Sequence, residues 1–228
     1  MTPPDEADVR AGAAQYSTAM LRWYDLAVLE VNCRLLWRCP PRTMLELYQR
    51  NIGARHLDLG PGTGYFLDRC TFGVRRPQLT LLDLNPDVLT TAAHRLRRYN
   101  PTTHLRNVLE PLALGDNRFD SAGLNMVLHC IPGPISAKAG VFDRIIPYLE
   151  PGARIFGSTI LDVGVPHSPA ARVALHLLNR QGVFHNTSDT LSDLDQALAQ
   201  RFATYRIELH GAMALFQALA PGDRVPSP

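Results

Sequence analysis

Lysine is almost missing from this chain. Of its 23 basic residues only Lys138 is lysine and the rest are arginine, a skew we read as coding bias rather than as a guanidinium-based function. Against them stand 21 acids, leaving a net charge of +2, so no strong field draws in polyanions. Cysteine is scarce too. Cys33, Cys39, Cys70 and Cys130 form no C-x-x-C pair and no His/Cys set at ligand spacing, which argues against zinc and suits free thiols in a reducing compartment. No run of about eighteen apolar residues occurs. The opening Met-Thr-Pro-Pro-Asp-Glu-Ala-Asp has neither the basic start nor the apolar stretch of a leader. Internal repeats and low-complexity linkers are also lacking. The expectation is a cytoplasmic protein without metal, membrane or nucleic-acid partner, and 228 residues suffice for one α/β domain with a sizeable core.

What the chain does have is a glycine turn between two carboxylates. The apolar run His56-Leu57-Asp58-Leu59 breaks into Gly60, Gly62 and Gly64, and a second run, Leu79-Thr80-Leu81-Leu82, closes on Asp83, nineteen residues after Gly64. That layout is a strand, a tight turn into a helix, and an acid ending the next strand. Bare backbone at the turn lets a ligand lie close, and the second carboxylate can accept from ribose hydroxyls. A dinucleotide site needs G-x-G-x-x-G, but Tyr65 stands where its last glycine belongs. A P-loop is excluded because no Gly-Lys-Ser/Thr follows.

The periodicity predicts strands at Arg55–Leu59, Gln78–Leu84, near Thr103–Val108, Phe119–Leu128 and Ala153–Leu161. Residues 9–47 read as helix in two or three pieces, broken near Cys39-Pro40-Pro41. Asn85 caps and Pro86 opens one helix, Ser168-Pro169 repeats that signature, Ser136 starts another that runs out at Pro147, and Thr190 to Phe202 forms a last one. Residues 205–209 and 212–218, separated by Gly211, read as a closing hairpin. Strands alternating with helices predict a parallel sheet with right-handed crossovers.

The pattern D-x-G-x-G-x-G over Asp58–Gly64 resembles the first motif of the class I S-adenosylmethionine-dependent methyltransferases, small-molecule branch. Four further segments fall in that family's order: Leu81-Leu82-Asp83-Leu84-Asn85-Pro86, Asn107-Val108-Leu109-Glu110-Pro111, Phe119 to His129, and Leu149 to Phe156. The resemblance spans roughly residues 54 to 161. It implies a Rossmann-like, doubly wound, mostly parallel seven-stranded sheet with helices on both faces, an antiparallel edge hairpin and an N-terminal helical lid. The expected organisation is a single domain, 1–228: lid 1–52, cofactor core 53–161, and substrate-wall helices with the hairpin 162–228.

The resemblance also implies S-adenosylmethionine as cofactor. It puts Asp58, Gly60, Gly62, Gly64, Asp83, Leu84, Asn107, Val108, Asn125 and Tyr24 around that cofactor, with Asp83 on the ribose and Asn107 facing the adenine amine. Asn107 replaces a carboxylate commoner at that place, so its contact lacks charge. Tyr16, Trp23 and His129 are expected on the substrate side. Tyr16, Trp23 and Tyr24 either form a lid over the cofactor or are core residues of an amphipathic helix. His129 either takes the acceptor's proton or hydrogen-bonds backbone beside the cofactor. Asn125 either fixes backbone or touches substrate.

The activity so implied is in-line methyl transfer to an O, N or C nucleophile of a small molecule, by a monomer or homodimer. A cofactor-retaining protein that transfers nothing, or a protein or RNA methyltransferase, are the alternatives. Neither a basic groove nor an Asn-Pro-Pro-Tyr or Asp-Pro-Pro-Tyr run after the fourth strand is present, which argues against methylation of nucleic-acid bases.

Overall fold

The structure, a computed structural model, describes residues 32–222; Tyr16, Trp23 and Tyr24 lie outside the described residues. Seven strands, β1 (Arg55–Leu59), β2 (Gln78–Asp83), β3 (Thr102–Leu105), β4 (Phe119–Asn125), β5 (Leu149–Ile160), β6 (Tyr205–His210) and β7 (Met213–Leu219), form one sheet. Its order is β3-β2-β1-β4-β5-β7-β6. The pairs from β3 through β5 are parallel, and β7 runs antiparallel to both β5 and β6.

Helices cover both faces of this sheet because its central strands alternate two apolar sets. Leu57 and Leu59 of β1 join one core with Leu82, Leu124 and Ile155, under α4 (Ile135–Lys138), α5 (Gly140–Ile145) and α7 (Leu191–Ala199). The opposite core holds Leu79, Leu81 and Phe156 under α1 (Pro41–Asn51), α2 (Tyr65–Arg69), α3 (Pro86–Arg95) and α6 (Pro169–Arg180). The side-chain period of two sends neighbouring residues of one strand to different cores.

Two helix starts follow from their caps. The Asn85 side chain accepts from the Asp87 N–H, with Pro86 at the first position of α3. Ser168 accepts from the Ala171 N–H ahead of α6, behind Pro169. In both, a short polar side chain satisfies an orphan donor and proline costs nothing because its missing N–H needs no partner there.

Several boundaries differ from those the sequence predicts; β5, for one, begins at Leu149 rather than Ala153. The helix expected from Ser136 to Pro147 starts at Ile135 and breaks into α4, α5 and a 3-10 turn, Ile146–Tyr148. Gly140 and Pro147 punctuate it, each weakening a continuous helix. Strand β3 stops at Leu105. Strand β4 stops at Asn125, not Leu128, because Met126 takes the left-handed conformation with φ 59°. The chain then turns into a 3-10 segment, Leu128–Cys130, which sets His129 one turn beyond the strand.

Candidate active site

Strand register brings the expected residues to one level. Leu59 pairs with Leu82 and Asp58 with Gly123, so Gly60, Asp83 and Asn125 stand side by side at the carboxyl ends of β1, β2 and β4. Sheet order reverses between β1 and β4, the place where open α/β sheets take ligands.

The three glycines of the turn are all left-handed, with φ 65°, 55° and 75°, yet they meet different surroundings. A Cβ on Gly60 would stand 2.7 Å from Val127 Cγ2, and one on Gly64 3.3 Å from Leu96 Cδ1 and 3.4 Å from Ala92 Cα. Those two permit close packing against the segment after β4 and against α3. Gly64 thereby supplies the tight helix contact for which Tyr65 leaves no glycine. A Cβ on Gly62 would meet nothing within 4 Å. This is the bare stretch of backbone against which a ligand can lie. Arg95 Nη1 donates to Thr63 Oγ1 at 2.9 Å and ties the turn to α3.

Asp58 lies beneath the turn, buried from any ligand. Tyr48 Oη donates to its Oδ2 at 3.1 Å, and His56 Nε2 stands 3.3 Å from the same oxygen. His56 Nδ1 is 2.8 Å from Ser121 Oγ, which also accepts from the Gly53 N–H at 2.8 Å. The Ser–His–Asp order suggests a nucleophile, but all three side chains are buried, His56 and Ser121 with no exposure at all. The chain braces β1 against β4. Asp58 thereby holds the strand that carries the turn, at the place where the sequence expects a cofactor contact. Burial, then the Asp58 charge, pushes the Tyr48 phenol well above its ordinary value, so it remains a donor.

Asp83 faces the crevice partly exposed. Its Oδ1 accepts from the Asn85 N–H at 2.8 Å. Burial nevertheless drives its carboxyl up from 3.8 to about 6, against the opposing pull of the Asn85 and Leu84 amides. A carboxylate so short of solvent has unused acceptor capacity for a pair of hydroxyls. Leu84 and Val108 are partly buried beside it. Asn107 Oδ1 accepts from the Leu109 N–H at 3.0 Å, and its Nδ2 donates to Glu110 Oε1 at 3.1 Å. The amide is locally committed, with one carbonyl lone pair left for an adenine amine.

At the end of β4, Asn125 Oδ1 accepts from Ser158 Oγ at 2.5 Å, and that same hydroxyl takes the Met126 N–H at 3.2 Å. Asn125 thus fixes the strained residue that ends the strand. His129 is buried, and its Nδ1 accepts from the Ile160 N–H at 3.2 Å. That bond assigns the ring proton to Nε2. Desolvation, and secondarily the nearby Lys138, lowers its pKa from 6.5 to about 3. As arranged the ring is a neutral donor whose free lone pair is occupied by backbone, the bond that one of the two readings calls for.

The sequence reading missed three features: the Tyr48–His56–Asp58 brace, the left-handed Met126, and a fully buried pair, Lys138 with Asp189, at 2.6 Å. Only Lys138 carried a signal, as the one lysine. Other histidines sit singly: His176 is exposed, His167 Nε2 lies 3.0 Å from the Asp162 carbonyl, and His185 Nε2 3.1 Å from the Gly182 carbonyl. Among the described residues no group of three or more His, Cys, Asp or Glu could hold a metal ion, and no helix is long and apolar enough to cross a membrane.

Comparison with known proteins adds to this geometry. A methyltransferase domain family matches residues 57–155, the stretch from β1 into β5. The demethylluteothin O-methyltransferase of Streptomyces thioluteus is 41% identical over 91% of this chain and 90% of its own length. An O-methyltransferase of the physcion biosynthesis cluster of Aspergillus chevalieri is 32% identical over 96% of this chain and 99% of its own. Among solved structures, a phosphoethanolamine N-methyltransferase of Haemonchus contortus, in complex with phosphomonomethylethanolamine and S-adenosylhomocysteine, superposes with a TM-score of 0.69 at 15% identity, covering 96% of this chain and 62% of that one. At that identity it shows the shared fold.

Proposed function

The chain belongs to the class I S-adenosylmethionine-dependent methyltransferases that act on small molecules, and we propose that it methylates a hydroxyl oxygen. The curated relatives named above are O-methyltransferases, and they support oxygen over nitrogen or carbon. The observation that carries the site is the pairing of open backbone at Gly62 with the half-desolvated Asp83 on the adjacent strand. The turn that Gly60 and Gly64 shape by packing would present Gly62 to the cofactor's amino-acid portion, with Asp83 on the ribose and Leu84, Asn107 and Val108 on the adenine. When bound, the cofactor supplies a methyl group already activated on a sulfonium. The protein's task is then to align the acceptor at near-attack distance and exclude water.

His129 enters this reading as a neutral N–H donor and positioning residue, with Asn125 as a brace. The acceptor hydroxyl is therefore an acidic one, phenolic or enolic, that ionises with little help from the protein. We take 162–228 as the wall of the acceptor side; of the 1–52 expected as a lid, α1 packs in the sheet's core, and Tyr16, Trp23 and Tyr24 lie outside the described residues. Four cysteines with no C-x-x-C spacing support a cytoplasmic setting, and the near-neutral charge supports a protein that holds no nucleic acid; we take it as a monomer or homodimer.

The test is calorimetry with S-adenosylmethionine and S-adenosylhomocysteine without metal. Mass spectrometry of a panel of phenols, enols and amines, demethylluteothin included, then reads the acceptor. Binding at one site and a mass gain of one methylene on a hydroxyl support the reading. Affinity for NAD equal to that for S-adenosylmethionine, or products methylated only on amines, would overturn it.

A further inference from the structure

The segment 182–190, between α6 and α7, is pinned across the ends of β4 and β5 almost wholly by polar contacts. The His185 N–H donates to the His129 carbonyl at 2.8 Å, and Asn186 Nδ2 donates to the Ile160 carbonyl at 2.9 Å. The Asp189 carbonyl accepts from the Asp162 and Val163 N–H groups, each at 3.2 Å. Phe184, carried on the same segment, sets its ring edge-on to the His129 ring at 4.6 Å between centroids.

At the middle of these contacts stands the chain's single lysine. Lys138 Nζ donates to Asp189 Oδ2 at 2.6 Å and to the His185 carbonyl at 2.8 Å, and neither side chain of the pair has any exposure. Asp189 Oδ1 is buried without a hydrogen-bond partner among the described residues. A buried pair is a costly way to gain stability, since apolar residues of similar volume often do as well or better. What it gives here is direction: an ammonium with three donors fixes two acceptors on one segment at once.

We propose that Lys138 and Asp189 are positioning residues of the methyl-transfer site, clamping segment 182–190 so that His129 and Phe184 keep one arrangement at the end of β4. The clamp works through His185, whose carbonyl is held by Lys138 and whose amide is bonded to the His129 carbonyl. This rests on the reading of the β4 end as the acceptor side.

The double variant Lys138→Met with Asp189→Leu removes both charges and leaves no unpaired ion. It is expected to melt near the parent and to bind S-adenosylhomocysteine as tightly. Its kcat with the best acceptor of the phenol and enol panel should fall about threefold to tenfold, with a smaller change in cofactor KM. Nitrogen NMR of the His129 ring, which needs no acceptor, should lose the single neutral Nε2–H signature that the parent keeps at pH 5. A folded double variant with the parent's kcat and ring spectrum overturns the proposal and leaves the pair merely structural. If the variant does not fold, amide exchange in the parent decides. The amides of Asp162, Val163 and His185 should exchange as slowly as Gly157 in β5, and exchange about a hundredfold faster would show that nothing clamps the segment. Loss of S-adenosylhomocysteine binding by the parent itself would instead refute the methyltransferase site.

Discussion

Replacing Asp83 by asparagine should move stability and cofactor affinity in opposite directions. In the cofactor-free protein the Asp83 carboxyl is raised from 3.8 to about 6, a shift of about two pH units worth about 3 kcal/mol at full burial. A raised acid costs stability when ionised. The cost is absent below about pH 4, grows as pH rises, and is complete above about 6. Partial exposure at the crevice reduces it to about 1–2 kcal/mol at neutral pH. Asp83→Asn keeps an oxygen to accept the Asn85 N–H at 2.8 Å and deletes the charge. The unliganded variant should therefore melt higher at pH 7.5, by about 2–8 °C for a chain of this size, and show no such gain at pH 4. With the cofactor the sign reverses. Hydrogen bonds to a charged acceptor are worth about 1.5–3 kcal/mol, so the dissociation constant for S-adenosylhomocysteine should rise about 10- to 150-fold in Asp83→Asn, and at least as much in Asp83→Ala. Parent affinity should fall about tenfold per pH unit below about 6, because binding requires the ionised form. Calorimetry across pH 5 to 8 and thermal unfolding without ligand measure both. Unchanged affinity in Asp83→Asn would remove Asp83 from the ribose, and a lower melting point would show that its charge stabilises the cofactor-free protein.

Gly62→Val should fold, since its Cβ meets nothing within 4 Å, at a backbone cost of about 1–2 kcal/mol for a left-handed residue, yet lose S-adenosylmethionine binding in calorimetry; retained binding would put the ligand elsewhere. Tyr48→Phe leaves Asp58 a donor short and should lower unfolding free energy by about 1–3 kcal/mol in urea titration, with no effect if the brace is idle. His129→Gln should keep turnover within about tenfold and the rate–pH profile should lack an imidazole limb. A loss of about 100- to 10,000-fold with such a limb would restore the base. Filter binding should find no salt-sensitive, submicromolar affinity for tRNA or duplex DNA, and finding one would reopen the nucleic-acid alternative.

The sheet was legible in the sequence because its signals are local and periodic. The runs ending at Leu59 and Asp83, the caps at Asn85 and Ser168, and the hairpin at Gly211 each declare themselves within a few residues, and all stand in the structure. Glycine spacing likewise marked the turn, but not the division of labour inside it. Which glycine faces a ligand depends on Val127 and Leu96, which arrive from elsewhere in the chain. Strand ends were less legible. The largely apolar run Leu124 to Leu128 reads as continuous strand. It stops because Met126, whose amide is held by the Ser158 carbonyl at 2.9 Å and secondarily by the Ser158 hydroxyl, turns left-handed.

His129 shows most clearly what a sequence motif cannot carry. Its place after the fourth strand makes it an attractive base, since a free imidazole titrates near neutral pH. The ring's protonation is decided by its surroundings: burial first, then the Lys138 ammonium nearby, and the Ile160 amide that occupies Nδ1. Each favours the neutral form, and together they turn a residue type suited to proton removal into a fixed donor. On the reading proposed above, the burden of ionisation passes to the acceptor's acidity. The prediction that follows concerns the substrate: across a series of ring-substituted phenols, rates at pH 7 should rise as the hydroxyl pKa falls toward neutrality and level off once it is ionised. A rate indifferent to phenol acidity, or fastest for the least acidic hydroxyl, would mean that the protein removes the proton after all.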